Sequence, residues 1–544
     1  MLINAELLLQ YQRCKRRPFL DIHQDRNQRA NVSDLLHKLQ QDKNFRKKKV
    51  LAKWIFQQPD YPRRDTQAGK AATVELMRQG VASIHQGVLQ VNYDNKHLLL
   101  SCPDLLIKQP GNSHFGDWVY MPASIELGKR PKQEYQILAA FHAYVLSQVQ
   151  GTLPPTALLL LRGKDTAYQV ELTKWIPLMH EKLLECIQAM ELQNPPELFI
   201  SRQKCSLCHW YGNCYADAKS QKHLSLLPGV TPIRYTQLQD LGITSPETLA
   251  ATNPELLEDL PGFDRVIAAK IVLQAQSFIE NRPFVLPQLT LRAKINPTGV
   301  QIPKLKIPSN TTEINPYNSY KASSPKKIIP KPSSLSRKSQ IFAEDIVRSS
   351  PIELYFDIEA QPDLNLNYLL GVLVVNKETN TEEFHSFLAE KPKDEKLIWR
   401  QFLDLMWQYP EAPIYHFCVY EFDTVKSLGK LYRTPQSIVK PILSRFVDIY
   451  EQLTQSVTLP VESYALKAIA KWLGFKWRNS EASGAKCIYW YDQWLKTGDR
   501  NLLDIIQIYN EDDCRATHSV KNWLVEFVEK EYPWGIVSTQ KEQE

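Results

Sequence analysis

The 544-residue chain has no apolar run approaching the ~20 residues that a membrane-spanning helix needs, so a helical membrane protein is excluded. It has no G-x-x-x-x-G-K-[ST] phosphate loop, so any ATP-driven motor must come from another chain. The N-terminus, MLINAELLLQYQRCKRR, places a short apolar patch before its charges. A secretory signal has the opposite polarity, and the expectation is a cytoplasmic protein. In that compartment nine cysteines argue against a disulfide framework and for free thiols or metal ligands. A strong charge of one sign is missing too: the net charge is only +7.

What is present describes an ordinary folded protein, 43% hydrophobic and 23% charged. Its length calls for two to four domains, because single cores rarely exceed ~250–300 residues. The charge is unevenly spread. Arg46-Lys47-Lys48-Lys49 and Lys15-Arg16-Arg17 are basic clusters, and between Phe284 and Gln340 ten Lys or Arg face one acid, Glu313. Such runs attract phosphate backbones, although they also occur as plain solvated surface.

Nine prolines fall between Pro283 and Pro332, ahead of the polar run SSLSRKSQ. Proline at that density removes backbone donors and holds the chain extended, so 283–349 reads as a Pro/Lys/Ser-rich linker. Upstream, strand-like runs (HLLLSCPDLLI, TALLLLRG) alternate with the helical EYQILAAFHAYVLSQVQ, which indicates a mixed α/β domain over 1–222. Downstream, ELYFDIEAQ, YLLGVLVVN and PIYHFCVY are strand-like and the remainder reads mainly helical, a second α/β domain over 350–536.

Within 223–282, Leu227-Pro228-Gly229-Val230 recurs as Leu260-Pro261-Gly262-Phe263, each followed by a helical pattern. The segment resembles tandem helix-hairpin-helix modules. There a glycine allows close backbone approach and amides at a helix start bind phosphate. Gly262, Arg265 and Lys270 are the candidate nucleic-acid contacts, with a plain helical spacer as the alternative.

Asp357 and Glu359 lie two apart in LYFDIEA. On a strand they share a face, so two carboxylates project together from an apolar element. That arrangement is costly unless a cation neutralises it, and hard ions such as magnesium or manganese prefer carboxylate oxygen. In IYNEDDCRATHSV, Tyr509 and Asp513 are four apart and share one helix face. Glu421, with Asp423 in reserve, supplies an acid between these motifs, and Asp448 is a further one.

Together these residues resemble the DEDD exonuclease superfamily, which has a D-x-E strand, a middle acid and a terminal Y-x-x-x-D. The likeness spans about 170 residues, including SYALKAIAKWLGFKWR, and is closest to the ribonuclease H-like domain of bacterial RecB-like nucleases. It implies a two-metal 3′–5′ exonuclease with Mg²⁺ or Mn²⁺ at Asp357, Glu359, Glu421 and Asp513, and Tyr509 orienting water. One departure is that the family's middle acid is more commonly aspartate.

QKCSLCHWYGNCY holds Cys205, Cys208 and Cys214 at metal-ligand spacing, one thiolate short of a closed four-ligand site. Cys14, Cys102, Cys186 and His209 are the candidates for the fourth. Cys14, in LLLQYQRCKRRPFLDI, resembles the early cysteine of iron–sulfur RecB-type nucleases, in which one cysteine near the start joins three near the end. That resemblance implies a restriction-endonuclease-like, PD-(D/E)xK-type α/β domain with a [4Fe–4S] cluster, zinc being the rival metal. It also implies a nuclease centre, in which Asp104 fits the first acid and Gln136 with Tyr135 or Phe141 the helix motif. His85 is the candidate for a metal-binding histidine. The middle motif departs: Lys129 is three from Glu126, and only a bulge at Gly128 would align the pair. Alternatively Glu126 occupies the lysine position and Ser124 the acid's, which leaves the centre dead.

The expected whole is a multidomain α/β nuclease acting on DNA or RNA, with single-stranded ends as substrate and a separate helicase as a possible partner. The rival is a non-catalytic nucleic-acid-binding or recruitment factor with degenerate centres.

Overall fold

In the computed structural model the chain forms two units, Met1–Leu226 and Leu227–Glu544. Residues 1–30, 34–62, 64–164, 166–287, 346 and 350–531 are described. The linker expected at 283–349 and the end of the domain expected to reach 536 therefore lie largely outside the described residues. No helix among those described is long and apolar enough to cross a membrane.

The first unit has two sheets. Strands β1 (Leu2–Asn4), β3 (Leu89–Asn92) and β4 (Leu98–Ser101) make the smaller, in the order β1-β4-β3. The larger runs β2-β5-β6-β7-β8, from Ser83–His85, Leu105–Ser113, Gly116–Ile125, Ala157–Leu160 and Tyr168–Val170. The run HLLLSCPDLLI, which reads as one strand, is divided between the two sheets. Its break contains Pro103, which has no amide to donate to a ladder. Helix α1 (Ala5–Arg13) packs on helix α3 (Gln133–Gln150), the latter buried over most of its surface against β6 and β7. Helix α2 (Asp34–Leu51) carries the Arg46–Lys49 cluster. Arg46 is no free phosphate contact: its guanidinium donates to the carbonyls of Glu126 at 2.8 Å and Leu160 at 3.1 Å. That fastens α2 across the ends of β6 and β7.

In the second unit five strands form a mixed sheet, ordered β12-β11-β10-β13-β14. They are β10 (Ile352–Gln361), β11 (Leu366–Asn376), β12 (Thr381–Leu388), β13 (Ile414–His416) and β14 (Phe446–Asp448). The first three form an antiparallel meander, whereas β13 and β14 run parallel to β10. The central β10 and β11 are nearly continuous apolar runs, as strands covered on both faces must be. PIYHFCVY is strand for only three residues. Cys418 then turns left-handed (φ 78°), and helix α5 (Tyr420–Leu431) begins. The 32-residue helix α6 (Arg500–Glu531) lies across β10 and β11.

The hairpin segment belongs to this unit. Its long helix α4 (Arg265–Glu280) sends Gln274 to the carbonyl of Leu459 at 2.7 Å, and Tyr464 donates back to Gln274 at 2.7 Å. A short strand, β9 (Phe284–Val285), pairs with β15 (Val457–Thr458).

Candidate active site

β10 is the central strand of the sheet and carries Asp357 and Glu359 on one face, directed at α6. Asp357 stands opposite Gly371 of β11. From α6, Asp513 approaches until Asp357, Glu359 and Asp513 each present an oxygen within 4.8 Å of the others. Among the described residues no other set of three acidic, histidine or cysteine donors is so close. Glu421, in the first turn of α5, is buried nearby, and its charge acts on both β10 carboxylates.

Burial drives the titration of all four. Loss of solvation, reinforced by the neighbouring carboxylates, holds Asp357 and Glu359 well above the usual carboxylate range. Burial raises Glu421 too, and lifts Asp513 to about 6 against the Trp477 hydrogen bond that opposes it. Glu421 Oε2 has no donor in hydrogen-bond contact. His416 Nδ1 stands 3.5 Å away, but that nitrogen is already committed to the carbonyl of Cys418 at 2.5 Å. A buried carboxylate oxygen without a donor, beside three crowded acids, is the donor set a hard divalent cation requires.

Several residues that fix this geometry escaped the sequence reading. Asn510 donates to Asp357 Oδ2 at 2.6 Å. It reaches β10 because β11 has glycine at 371, where an added Cβ would lie 1.7 Å from Asn510 Oδ1. The Trp477 indole donates to Asp513 Oδ1 at 2.7 Å. Tyr509, already marked by the Y-x-x-x-D pattern, is buried beside these acids, which keeps its phenol protonated. Lys467 lies over the rings of Trp477 and Tyr509 and donates to the carbonyl of Ala482. The two reserve acids take other places. Asp423 is exposed, while Asp448 caps a helix through the amide of Glu451 and also accepts from the amide of Cys418.

Residues 354–525 match the family model described as the RNase_H superfamily. That span runs from β10 to near the end of α6 and contains all four acids and Tyr509. No curated protein matches the chain. The C-terminal unit thus carries an RNase H-like domain, a nuclease-type fold, and the divalent-metal use which that fold implies meets a carboxylate cluster here.

The other expected sites are placed differently. In the first unit, β6 stops at Ile125. Glu126 lies just past the strand, and Lys129 is exposed in the following turn. Past Ile125 the pairing continues irregularly: the amide of Glu126 donates to the carbonyl of Leu160 at 3.1 Å and the carbonyl of Gly128 accepts from the amide of Arg162 at 3.0 Å, yet Lys129 still points to solvent. Asp104 accepts instead from Lys47 of α2 and, at 2.7 Å, from the amide of Ile125. His85 Nδ1 contacts the backbone carbonyl of Asp104 at 2.8 Å. Gln136 donates to the carbonyl of Pro131 at 3.0 Å, Tyr135 faces Gly128, and Phe141 is core.

Cys14 lies near enough to each of Cys205, Cys208 and Cys214 to influence them electrostatically, but no three of these sulfurs come within 4.8 Å of one another. Burial raises the last three, Cys214 to about 11. His209 is taken by Asp21 at 2.7 Å, Cys186 lies in the core, and Cys102 faces a separate cavity.

In the hairpin segment Gly229 and Gly262 both have positive φ, and Arg234 donates to both of their carbonyls at 2.7 Å. Asp264 caps α4 by accepting from the amide of Ile267 at 2.8 Å, so a carboxylate already sits where a phosphate would bind. Lys270 turns inward to the carbonyl of Thr454. At least one donor of the Lys270 ammonium is thereby committed inside the unit. Arg265 remains exposed.

Proposed function

We propose that the protein is a metal-dependent nuclease that hydrolyses phosphodiester bonds through its C-terminal unit, as a 3′–5′ exonuclease. The observation that carries this reading is the convergence of Asp357, Glu359 and Asp513 within 4.8 Å. Crowding of buried carboxyls on this scale is relieved by entering cations, as proton uptake relieves it in their absence. Asp357, Glu359, Glu421 and Asp513 would hold two ions, Mg²⁺ or Mn²⁺, whose chemistry is to activate water and stabilise the leaving oxygen. Asn510 and Trp477 fix the planes of Asp357 and Asp513. Tyr509, kept protonated, orients the attacking water through its hydroxyl. The 3′–5′ direction follows the likeness of D-x-E and Y-x-x-x-D to DEDD exonucleases.

Cys14, Cys205, Cys208 and Cys214 are the proposed ligands of a [4Fe–4S] cluster that would staple the first unit; zinc, the rival, would need their sulfurs to draw closer than they stand. Zinc gives colourless protein and the cluster gives brown. Arg265, exposed beside Gly262, is the proposed nucleic-acid contact of the hairpin segment.

End-labelled single- and double-stranded DNA and RNA, incubated with Mn²⁺, test the main reading. Stepwise shortening from the 3′ end is expected, with loss of at least a hundredfold in Asp357→Ala. Full activity in that variant would end the proposal.

A further inference from the structure

The first unit contains a cavity of about 290 Å³ whose walls include Lys43, Lys47, Asp104, Ser124, Glu126 and His142. Two largely buried carboxylates facing one cavity need positive charge, which an external ion or a side chain can supply. Here the side chain is visible. Lys47 donates to Asp104 Oδ1, while the amide of Ile125 takes Oδ2, so both oxygens of Asp104 are engaged by the protein itself. Glu126 is relieved by Lys43 and Lys47, one turn apart on α2. His142 Nδ1 is held by the hydroxyl of Ser101 at 2.7 Å. The placement of Lys47 is built, because the adjacent Arg46 anchors α2 to the carbonyls of Glu126 and Leu160. Asp104, Glu126 and His142 do not bring three donor atoms within 4.8 Å of one another, as the C-terminal acids do.

These residues do not fit a divalent-metal centre. We propose that the cation of this site is the Lys47 ammonium, that it excludes Mg²⁺ and Mn²⁺ from Asp104, and that the first unit therefore does not hydrolyse phosphodiesters. Lys47 enters from a helix far upstream of the strand, whereas Lys129, the lysine in sequence proximity to Glu126, stays in solvent.

The test counts Mn²⁺ bound by the full chain, from the loss of the free-ion paramagnetic resonance signal. The background is Asp357→Ala/Glu359→Ala, so the result is independent of whether the C-terminal unit proves to be a nuclease. Binding that depends on Asp104 is read as the difference made by adding Asp104→Asn. In the background protein that difference is expected to be nil. Adding Lys47→Met is expected to create an Asp104-dependent ion, and Lys47→Arg, which keeps the charge, is expected to create none. An Asp104-dependent ion with Lys47 intact would overturn the proposal. So would its absence in a Lys47→Met protein whose circular dichroism is native.

Discussion

Replacing Glu359 with glutamine removes one negative charge from the C-terminal cluster while keeping the size of the side chain. At 4.8 Å, the outer limit for the three oxygens, two full charges repel by about 3.5 kcal/mol at an effective dielectric of about 20. Glu359 takes part in two such pairs, with Asp357 and with Asp513. Proton uptake already relieves part of this at neutral pH, since the carboxyls titrate above their usual range. A net gain of about 2 kcal/mol in the metal-free protein is therefore expected, or roughly 4–8 °C in the melting temperature of a domain of this size. The sign with pH follows from Asp513. Its folded value of about 6 exceeds the ordinary 3.8, so its contribution to stability is full at low pH and is lost as pH rises through about 6. Metal-free wild type should accordingly lose stability between about pH 4 and 6, and Glu359→Gln should lose less. Mn²⁺ should raise the melting temperature of wild type and leave the variant almost unmoved. Calorimetry of both proteins with chelator and with Mn²⁺ decides the matter. A metal-free variant no more stable than wild type, or one stabilised equally by Mn²⁺, would refute the reasoning.

Two further outcomes concern residues that position the carboxylates. Trp477→Phe removes the indole donor from Asp513; a hydrogen bond to a charged group contributes about 1.5–3 kcal/mol. Mn²⁺ affinity near neutrality should fall roughly 10- to 100-fold, and the pH midpoint of binding should move upward, because that bond favours the charged form. A drop in affinity without a pH shift would assign Trp477 a packing role only. Gly371→Ala forces a methyl against Asn510 and should cost about 1–3 kcal/mol in denaturant unfolding. Asn510→Ala in the same chain should recover most of that stability but not activity, since the bond to Asp357 is then gone.

Much of the site could be read in one dimension because its motifs are local. Asp357 and Glu359 share a face by the two-residue period of a strand, and Tyr509 and Asp513 by the turn of a helix. A buried acid pair in an apolar run is an anomaly that sequence displays directly. The sheet was legible in part: β10 and β11 were evident, whereas β12, with its exposed charges, and the three-residue β14 carry too little hydrophobic pattern to stand out. Which side chains steer the acids depended on contacts across long stretches of chain. Asn510 lies 153 residues from Asp357, and Trp477 lies 36 from Asp513. Nothing in the spacing around Gly371 announces that a helix presses against it.

The first unit shows the opposite failure. Its lysine is expected beside Glu126, yet beyond Ile125 the pairing turns irregular, Lys129 is exposed, and the charge on Asp104 is met by Lys47, 57 residues before it. Similarly, composition marked Lys270 as basic, while packing turned its ammonium to the carbonyl of Thr454. Sequence determined which residues could bear charge and which neighbours along the chain would share a face. Only the tertiary structure decided which charges meet, because Coulomb and hydrogen-bond energies fall off within a few ångströms and take no account of distance along the chain.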